Sequence, residues 1–181
     1  MKIMNWVVVE ASSDHDRLPA GGYVLKITAI KDNEAREYLE DFYDIAEGDY
    51  AGYYSDDWSK QNPWSHRTFH SYKESAQPMF KHFLDCVETS NKHINGFTIE
   101  QWQQTCNPQA FVGMEYGAVI GYEKYTKNNG EDGERPYIAK YLPAQDIRNG
   151  EFKVPEVKDN RKKEEAAPTA ANFSITEDVP F

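Results

Sequence analysis

The alternation of apolar and polar residues changes period along the chain and predicts strands on both sides of one helix. Residues 23–32 and 37–45 are β-rich and partly alternating, which favours a hairpin of two strands. A loop rich in Gly, Asp and Tyr follows at 47–63, and residues 64–72 predict a third strand. One face of the second strand carries several carboxylates, so we expect that face to be exposed to solvent.

The spacing becomes helical after residue 75. Ser75 is a candidate N-cap, and Pro78 falls in the first turn, where its missing N–H group is harmless. The apolar residues within 79–87 recur at helical spacing, and we expect a helix of about four turns that ends near 91–96. A capping-box pattern beginning at Thr98 predicts a short second helix.

Two further strands are predicted at residues 111–125 and 135–142. The glycines at 113, 117 and 121 suggest bends or bulges in the first of them. The order β-β-β-α-β-β is typical of the OB-fold, a small, partly open barrel. We therefore expect a mainly β, OB-fold-like barrel of five strands with a helix between strands 3 and 4. An α+β domain of another topology is the alternative.

A change of composition at Pro155 divides the chain. Residues 1–155 contain the predicted elements and form the expected domain. Residues 156–172 are charged, then small and polar, and cannot bury enough apolar surface to offset the entropy of ordering, so we expect a disordered linker. Residues 173–181, FSITEDVPF, bring apolar side chains back beside two acids.

The net charge of -10 is the wrong sign for a phosphate-binding protein, but it is unevenly distributed. Residues 31–57 hold ten acids and two bases, whereas residues 58–155 hold eleven of each. A charge run of this kind is most often a solvated face. The balanced stretch at 58–155 is where contacts with a nucleic acid are to be sought.

Aromatic and cationic residues recur together in that balanced stretch. Sequence-tolerant binding of a single strand needs aromatic faces for the bases and nearby cations for the phosphates. A core role is the alternative for each ring, and we assign Trp6, Phe80, Phe83, Trp102 and Phe111 to the core. The candidate contacts with single-stranded DNA are Trp58, Lys60, Trp64, Arg67, Phe69, Tyr72, Lys73, Tyr122, Lys124, Tyr125, Lys127, Arg135, Tyr137 and Lys140.

Signals for other chemistry are weak. His66 and His70 lack a third ligand with metal-binding spacing, and the phosphate-binding loop GxxxxGK[ST] is absent, so we expect no metal and no cofactor. A metal-dependent nuclease using the acids of 37–57 is the enzymatic alternative, although we expect no catalysis. No apolar run reaches the ~20 residues of a membrane helix, and two cysteines give no disulfide framework, so we expect a cytoplasmic protein.

The last five residues form the most specific motif of the sequence. Glu177 and Asp178 supply charge, Pro180 restricts the backbone, and Phe181 combines an apolar anchor with a terminal carboxylate. This peptide resembles the acidic tip of bacterial single-stranded-DNA-binding proteins, Asp-Asp-Ile-Pro-Phe, with Glu177 for Asp and Val179 for Ile. The resemblance implies a flexible tip that recruits replication, recombination and repair proteins.

The body resembles the single-stranded-DNA-binding proteins of phages and prophages of Gram-positive bacteria. The similar stretches are GGYVLKITAI (21–30), YDIAEGDYAGYY (43–54), MFKHFLDCVETSN (79–91) and DIRNGEFKVPEVK (146–158). This resemblance implies an OB-fold and binding of single-stranded DNA without sequence specificity, in the bacterial host cytoplasm. It leaves open whether the chain forms a homo-oligomer. The competing hypothesis is an acidic protein-interaction module, such as a DNA mimic or a recombination accessory factor, without affinity for single strands.

Overall fold

The computed structural model describes residues 17–161, and its regular structure is mainly β. The strands are β1 (Gly21–Asn33), β2 (Tyr38–Ile45), β3 (Arg67–Ser71), β4 (Glu115–Thr126), β5 (Asp132–Leu142) and β6 (Lys158–Asn160). The helices are α1 (Asp57–Gln61), α2 (Gln77–Asn95), α3 (Ile99–Gln103) and α4 (Ala144–Arg148). Single 3-10 turns lie at Glu34–Arg36, Pro63–His66, Glu74–Ala76 and Pro108–Phe111.

The strands form one sheet in the order β3-β2-β1-β4-β5, in which all neighbours are antiparallel. The short strand β6 pairs in parallel with residues 123–125 of β4, beyond the part of β4 that β1 covers. The predicted mainly β fold with a helix between strands 3 and 4 is confirmed, but the sheet of the described residues has six strands instead of five and is open between β3 and β5.

The two edge strands of the sheet, β3 and β5, are linked by side chains and by a helix, although their backbones do not pair. The hydroxyl groups of Thr68 on β3 and Tyr141 on β5 lie 3.0 Å apart in a hydrogen bond. Helix α2 packs against β3, β4 and β5, and its His82 lies within 3.1 Å of the Tyr141 carbonyl oxygen. The helix therefore contacts both edge strands of the sheet, β3 and β5.

The main core lies between the sheet and α2. Leu25 and Ile27 of β1, Phe83 of α2, and Phe111 and Tyr116 are all 0% exposed. The predicted core role of Phe83 and Phe111 is confirmed, whereas Trp6 lies outside the described residues. Phe80 and Trp102 are partly buried and pack against this cluster.

A smaller cluster covers the other face of the sheet, where α4 and Phe152 pack. A Cβ atom on Gly22 would lie 2.6 Å from the Phe152 ring, and one on Gly117 would lie 2.6 Å from Ile147. These two glycines therefore permit close packing of this layer. The irregularity in β4 lies between Val119 and Ile120, so Gly117 is not the bend that its position in the strand predicts.

Several element boundaries differ from the sequence prediction. The helix begins at Gln77, and Ala76 rather than Ser75 occupies the N-cap, without a side-chain hydrogen bond. The third strand begins at Arg67, because Pro63 starts a 3-10 turn through His66. Thr98 caps α3 as predicted, with its side chain accepting a hydrogen bond from the Gln101 amide.

The acidic segment 31–57 is not a uniformly solvated face. Asp41 is 0% exposed, its carboxylate lies 2.6 Å from Nε2 of His70, and it accepts a hydrogen bond of 3.0 Å from the Tyr116 hydroxyl. Asp41 lies inward on the same face of β2 as Leu39, Tyr43 and Ile45, and Phe42 is the residue that breaks the alternation. Residues 41–43 are all buried, opposite the register shift between Ile27 and Ala29.

The described chain continues six residues past Pro155. Residues 158–160 of the segment expected to be a linker form β6, and Arg161 makes ion pairs with Asp132 and Asp159. The remainder of the expected linker and the tip at 173–181 lie outside the described residues. Among residues 17–161, no helix combines the length and the apolar composition needed to cross a bilayer.

Candidate nucleic-acid interface

A groove of about 920 Å³ runs between β3 and the β4–β5 hairpin, over the open side of the sheet. One wall comes from β3 and from the loop between β2 and β3, which contains α1. The other wall comes from the hairpin and from Arg17 and Leu18. The hydrogen bond between Thr68 and Tyr141 crosses the gap between the two strands. The groove is a consequence of the unclosed sheet.

Eight of the fourteen predicted DNA-binding residues line this groove. They come from segments far apart in sequence, which the sheet order brings together. The eight residues are Trp58, Trp64, Arg67, Phe69, Tyr122, Tyr125, Arg135 and Tyr137.

The other six predicted residues do not line the groove, and they include all five predicted lysines. Lys60 lies 3.5 Å from Asp57 on the surface of α1, and Tyr72 donates a hydrogen bond of 3.0 Å to Asp32. The remaining lysines are exposed at positions outside the lining: Lys73, Lys124, Lys127 and Lys140. Lys60, Lys73 and Lys127 were predicted because aromatic residues are close in sequence. Lys124 was predicted because strand alternation places it on the side of Tyr122, and Lys140 was placed on the side opposite Tyr137.

Three large aromatic rings of the groove face solvent. Trp58 is 51%, Trp64 60% and Phe69 50% exposed. Their backbones are fixed by local structure. Asp56 caps α1 through the Ser59 amide, Pro63 starts the 3-10 turn that contains Trp64, and Phe69 lies on the paired strand β3. Exposed rings on a fixed backbone are surfaces on which unstacked bases can stack.

Three arginines of the groove lie over aromatic rings. The guanidinium carbon lies 3.6 Å from the ring centroid for Arg17 over Tyr122. The corresponding distances are 5.1 Å for Arg67 over Phe69 and 4.8 Å for Arg135 over Tyr125. Arginine in this arrangement presents both a cation and a flat stacking surface.

Each of these arginines is also paired with a glutamate. The N–O distances are 2.7 Å between Arg17 and Glu134, 2.7 Å between Arg67 and Glu40, and 2.6 Å between Arg135 and Glu123. Hydrogen bonds from Arg17 hold the pKa of the Glu134 carboxyl below its ordinary value. These three cations of the groove are therefore balanced by anions.

Sequence reasoning missed several residues that line the groove. Arg17 is separated from any predicted strand, so no pattern pointed to it. Tyr43, Tyr53 and Tyr54 belong to the acidic segment 31–57, where no DNA contact was predicted, yet all three line the groove. The aromatic density of the loop, in which Tyr53 and Tyr54 precede Trp58, was the available signal.

His66 marks the boundary between the groove and the core. Its ring stacks on Tyr54 with centroids 5.2 Å apart and an interplanar angle of 26°. Partial burial lowers the pKa of His66 below its ordinary value, although Asp44 and Asp56 act in the opposite direction. His66 therefore favours the neutral form that packs against the ring.

The described residues contain no group of three or more His, Cys, Asp or Glu side chains arranged to hold a metal ion. His70, which the sequence paired with His66 as a weak metal signal, is instead buried against Asp41 and stacks 3.7 Å from the Phe83 ring.

A scan against protein-family models finds no match for this chain, and a search of curated proteins finds none either.

Proposed function

We propose that this protein binds single-stranded DNA without sequence specificity through the groove between β3 and the β4–β5 hairpin. The observation that carries the proposal is the presence of three half-exposed rings, Trp58, Trp64 and Phe69, in one groove. Each base stacked on an aromatic side chain contributes about 1–3 kcal/mol, and every base has a face that can stack. Three rings thus support useful affinity without base-specific hydrogen bonds.

The position of the groove supports an OB-fold-like interface. OB-folds bind oligonucleotides on the face of strands 2 and 3 and with the loops that follow strands 1 and 4. Here Arg67 and Phe69 lie on β3, and Tyr125 and Arg135 flank the turn between β4 and β5. The helix between β3 and β4 fits the same architecture, and we propose an open OB-like sheet.

The terminal peptide supports a division of labour. We propose that the groove holds the strand while residues 177–181 recruit replication or recombination proteins of a phage or mobile element. The similarity of Glu177-Asp178-Val179-Pro180-Phe181 to the acidic tip supports this role. The described chain ends beside the hairpin, where Arg161 contacts Asp132.

The contacts of the acidic segment weaken the alternative of a DNA mimic. Glu40 pairs with Arg67, Asp41 with His70, and Glu47 with Arg148. Carboxylates engaged in contacts within the chain present less charge to a basic partner. The interaction module remains the competing function if single strands do not bind.

Tryptophan fluorescence during titration with poly-dT tests the proposal directly. Trp58 and Trp64 are in the groove, whereas Trp102 packs 4.9 Å from Phe111 in the core region. We expect quenching in the native protein and in W102F, and loss of most of the quenching in the W58F/W64F variant. Absence of quenching at low salt in the native protein would overturn the proposal.

The proposal assigns binding and no catalysis to the chain. Incubation of labelled single-stranded DNA with the protein and Mg²⁺ or Mn²⁺ tests that assignment. Full-length DNA after incubation is the expected result, and shortened products would favour the nuclease alternative.

A further inference from the structure

Every arginine that stacks on a ring in the groove is held by a glutamate that is less exposed than the arginine. Side-chain exposure is 36% for Arg67 against 13% for Glu40, and 60% for Arg135 against 14% for Glu123. In the third pair, the side chain of Arg17 is 55% exposed and that of Glu134 is 30% exposed. In each pair the guanidinium group is therefore more accessible to a ligand than the carboxylate that holds it.

The hydrogen bonds of these pairs leave different numbers of donors for a phosphate. Arg67 donates through Nη1 to Glu40, and Arg135 donates through Nε to Glu123. Arg17 donates through both Nη1 and Nη2 to Glu134. A guanidinium carries five N–H donors, so Arg67 and Arg135 can approach a phosphate without releasing their glutamates.

The glutamates oppose the attraction that the arginines would exert on a phosphate. An arginine that stays paired with its glutamate forms a nearly neutral pair, and such a pair attracts the negatively charged DNA backbone only weakly at a distance. It still presents a flat surface on its ring and short-range donors. Backbone attraction, which is stronger for the more densely charged duplex than for a single strand, is thereby reduced. Stacking, which requires unstacked bases, is not reduced.

We infer that Glu40, Glu123 and Glu134 are specificity-determining residues that neutralise the groove arginines, so that base stacking rather than phosphate attraction decides which nucleic acid binds. The inference rests on the proposed binding of single-stranded DNA. It gives these acids a role in selecting single strands over duplexes. It also predicts that binding depends little on salt even though three arginines lie in one groove.

The salt dependence of binding tests the inference. Each phosphate neutralised on a single strand contributes about 0.7 to the slope of log affinity against log salt, so three free arginines would give a slope of about 2. We expect a shallower slope for the native protein with poly-dT. The E40Q/E123Q/E134Q variant keeps a hydrogen-bond acceptor at each position. We expect its slope to be steeper by up to about 2, since up to three phosphate contacts are gained at ~0.7 each.

The matched control removes three acids outside the groove. Glu88, Glu100 and Glu151 do not line it, so E88Q/E100Q/E151Q changes net charge equally and should leave the slope close to native. Duplex DNA of the same length provides the second measurement. We expect the groove variant to gain affinity for duplex more than for poly-dT, which lowers the ratio of the two affinities.

The outcomes separate the inference from the function on which it rests. Native binding of poly-dT with an unchanged slope in the groove variant overturns the inference and leaves the proposed function standing. Equal steepening in the control variant also overturns it, because net charge would then explain the effect. No binding by native protein or variant overturns both. Since Glu123 also accepts a hydrogen bond from Asn160 of β6, the single variant E40Q repeats the test without touching that strand.

Discussion

Glu40 and Asp41 are neighbours on β2, and the carboxylate of each contacts a basic side chain. The surroundings of the two contacts differ, because one is accessible to water and the other is buried. Glu40 pairs with the groove residue Arg67, and both side chains remain accessible to water. Asp41 points inward, with no exposed surface, and contacts His70 and Tyr116 beneath α2. The same chemical group therefore has a structural role at one position and a candidate binding role at the next.

The difference between the two pairs follows from solvent. A pair exposed to water gains little net energy, since water and salt screen it and both side chains lose conformational freedom. A buried pair is costly to break, because removal of one partner leaves the other without compensation. We therefore expect substitutions inside the sheet to change stability, and substitutions in the groove to change binding.

The largest expected effect is the loss of stability when the buried Asp41 is replaced. Asp41→Ala should lower the free energy of unfolding by about 3–5 kcal/mol, because His70 and Tyr116 lose their shared acceptor. Urea denaturation measures this change. Glu40→Gln is the adjacent control and should change stability by no more than about 1 kcal/mol. Similar losses in both variants would contradict the distinction between the two pairs.

The groove side should respond in binding rather than in stability. Trp58→Ala and Trp64→Ala should each weaken binding of poly-dT by about 1–3 kcal/mol, which is the contribution of one stacked base. Their free energies of unfolding should stay within about 0.5 kcal/mol of native, as for other surface substitutions. Met79→Ala removes an exposed apolar side chain outside the groove and serves as the control for both measurements. A stability loss without a binding loss would assign the tryptophans to structure.

His66 lies between the two environments, and its effect should be smaller. Its pKa is lowered in the folded protein, so the unfolded chain binds more protons as the pH falls below the ordinary value of 6.5. This contribution to stability is complete above that pH and is lost below it, at no more than about 1.4 kcal/mol per pH unit. Denaturation at pH 7.5 and 5.5 should show a larger loss for the native protein than for His66→Gln. Equal losses would show that His66 does not contribute.

The smallest expected effect on DNA affinity comes from the end of the chain. Deletion of residues 179–181 should leave the affinity for poly-dT unchanged while abolishing capture of replication or recombination proteins from a host extract. Titration and pull-down measure the two properties separately. A weaker affinity for poly-dT after deletion would contradict the division of labour between groove and tip.

Much of the architecture was predictable from local patterns. The period of two at residues 23–32 and 37–45, and the helical period at 79–87, indicated β1, β2 and α2, because these elements bury one regular face. Helix α4 and β6 were not predicted, since short segments with few apolar residues carry little periodic signal. The aromatic groove residues were partly predictable from composition, whereas the five predicted lysines lie outside the groove lining, because sequence proximity does not determine where a side chain lies in the fold.

The sequence by itself determined the succession of three strands, a helix and two strands, the acidic concentration at 31–57 and the terminal motif, because each is a property of neighbouring residues. Only the tertiary structure decided that the sheet stays open between β3 and β5, that Asp41 is interior, and that Arg17, Arg67 and Arg135 meet glutamates in one groove. These features depend on which strands become neighbours. Contacts between residues distant in sequence, such as the hydrogen bond between Thr68 and Tyr141, determine this arrangement, and local sequence patterns do not predict such contacts.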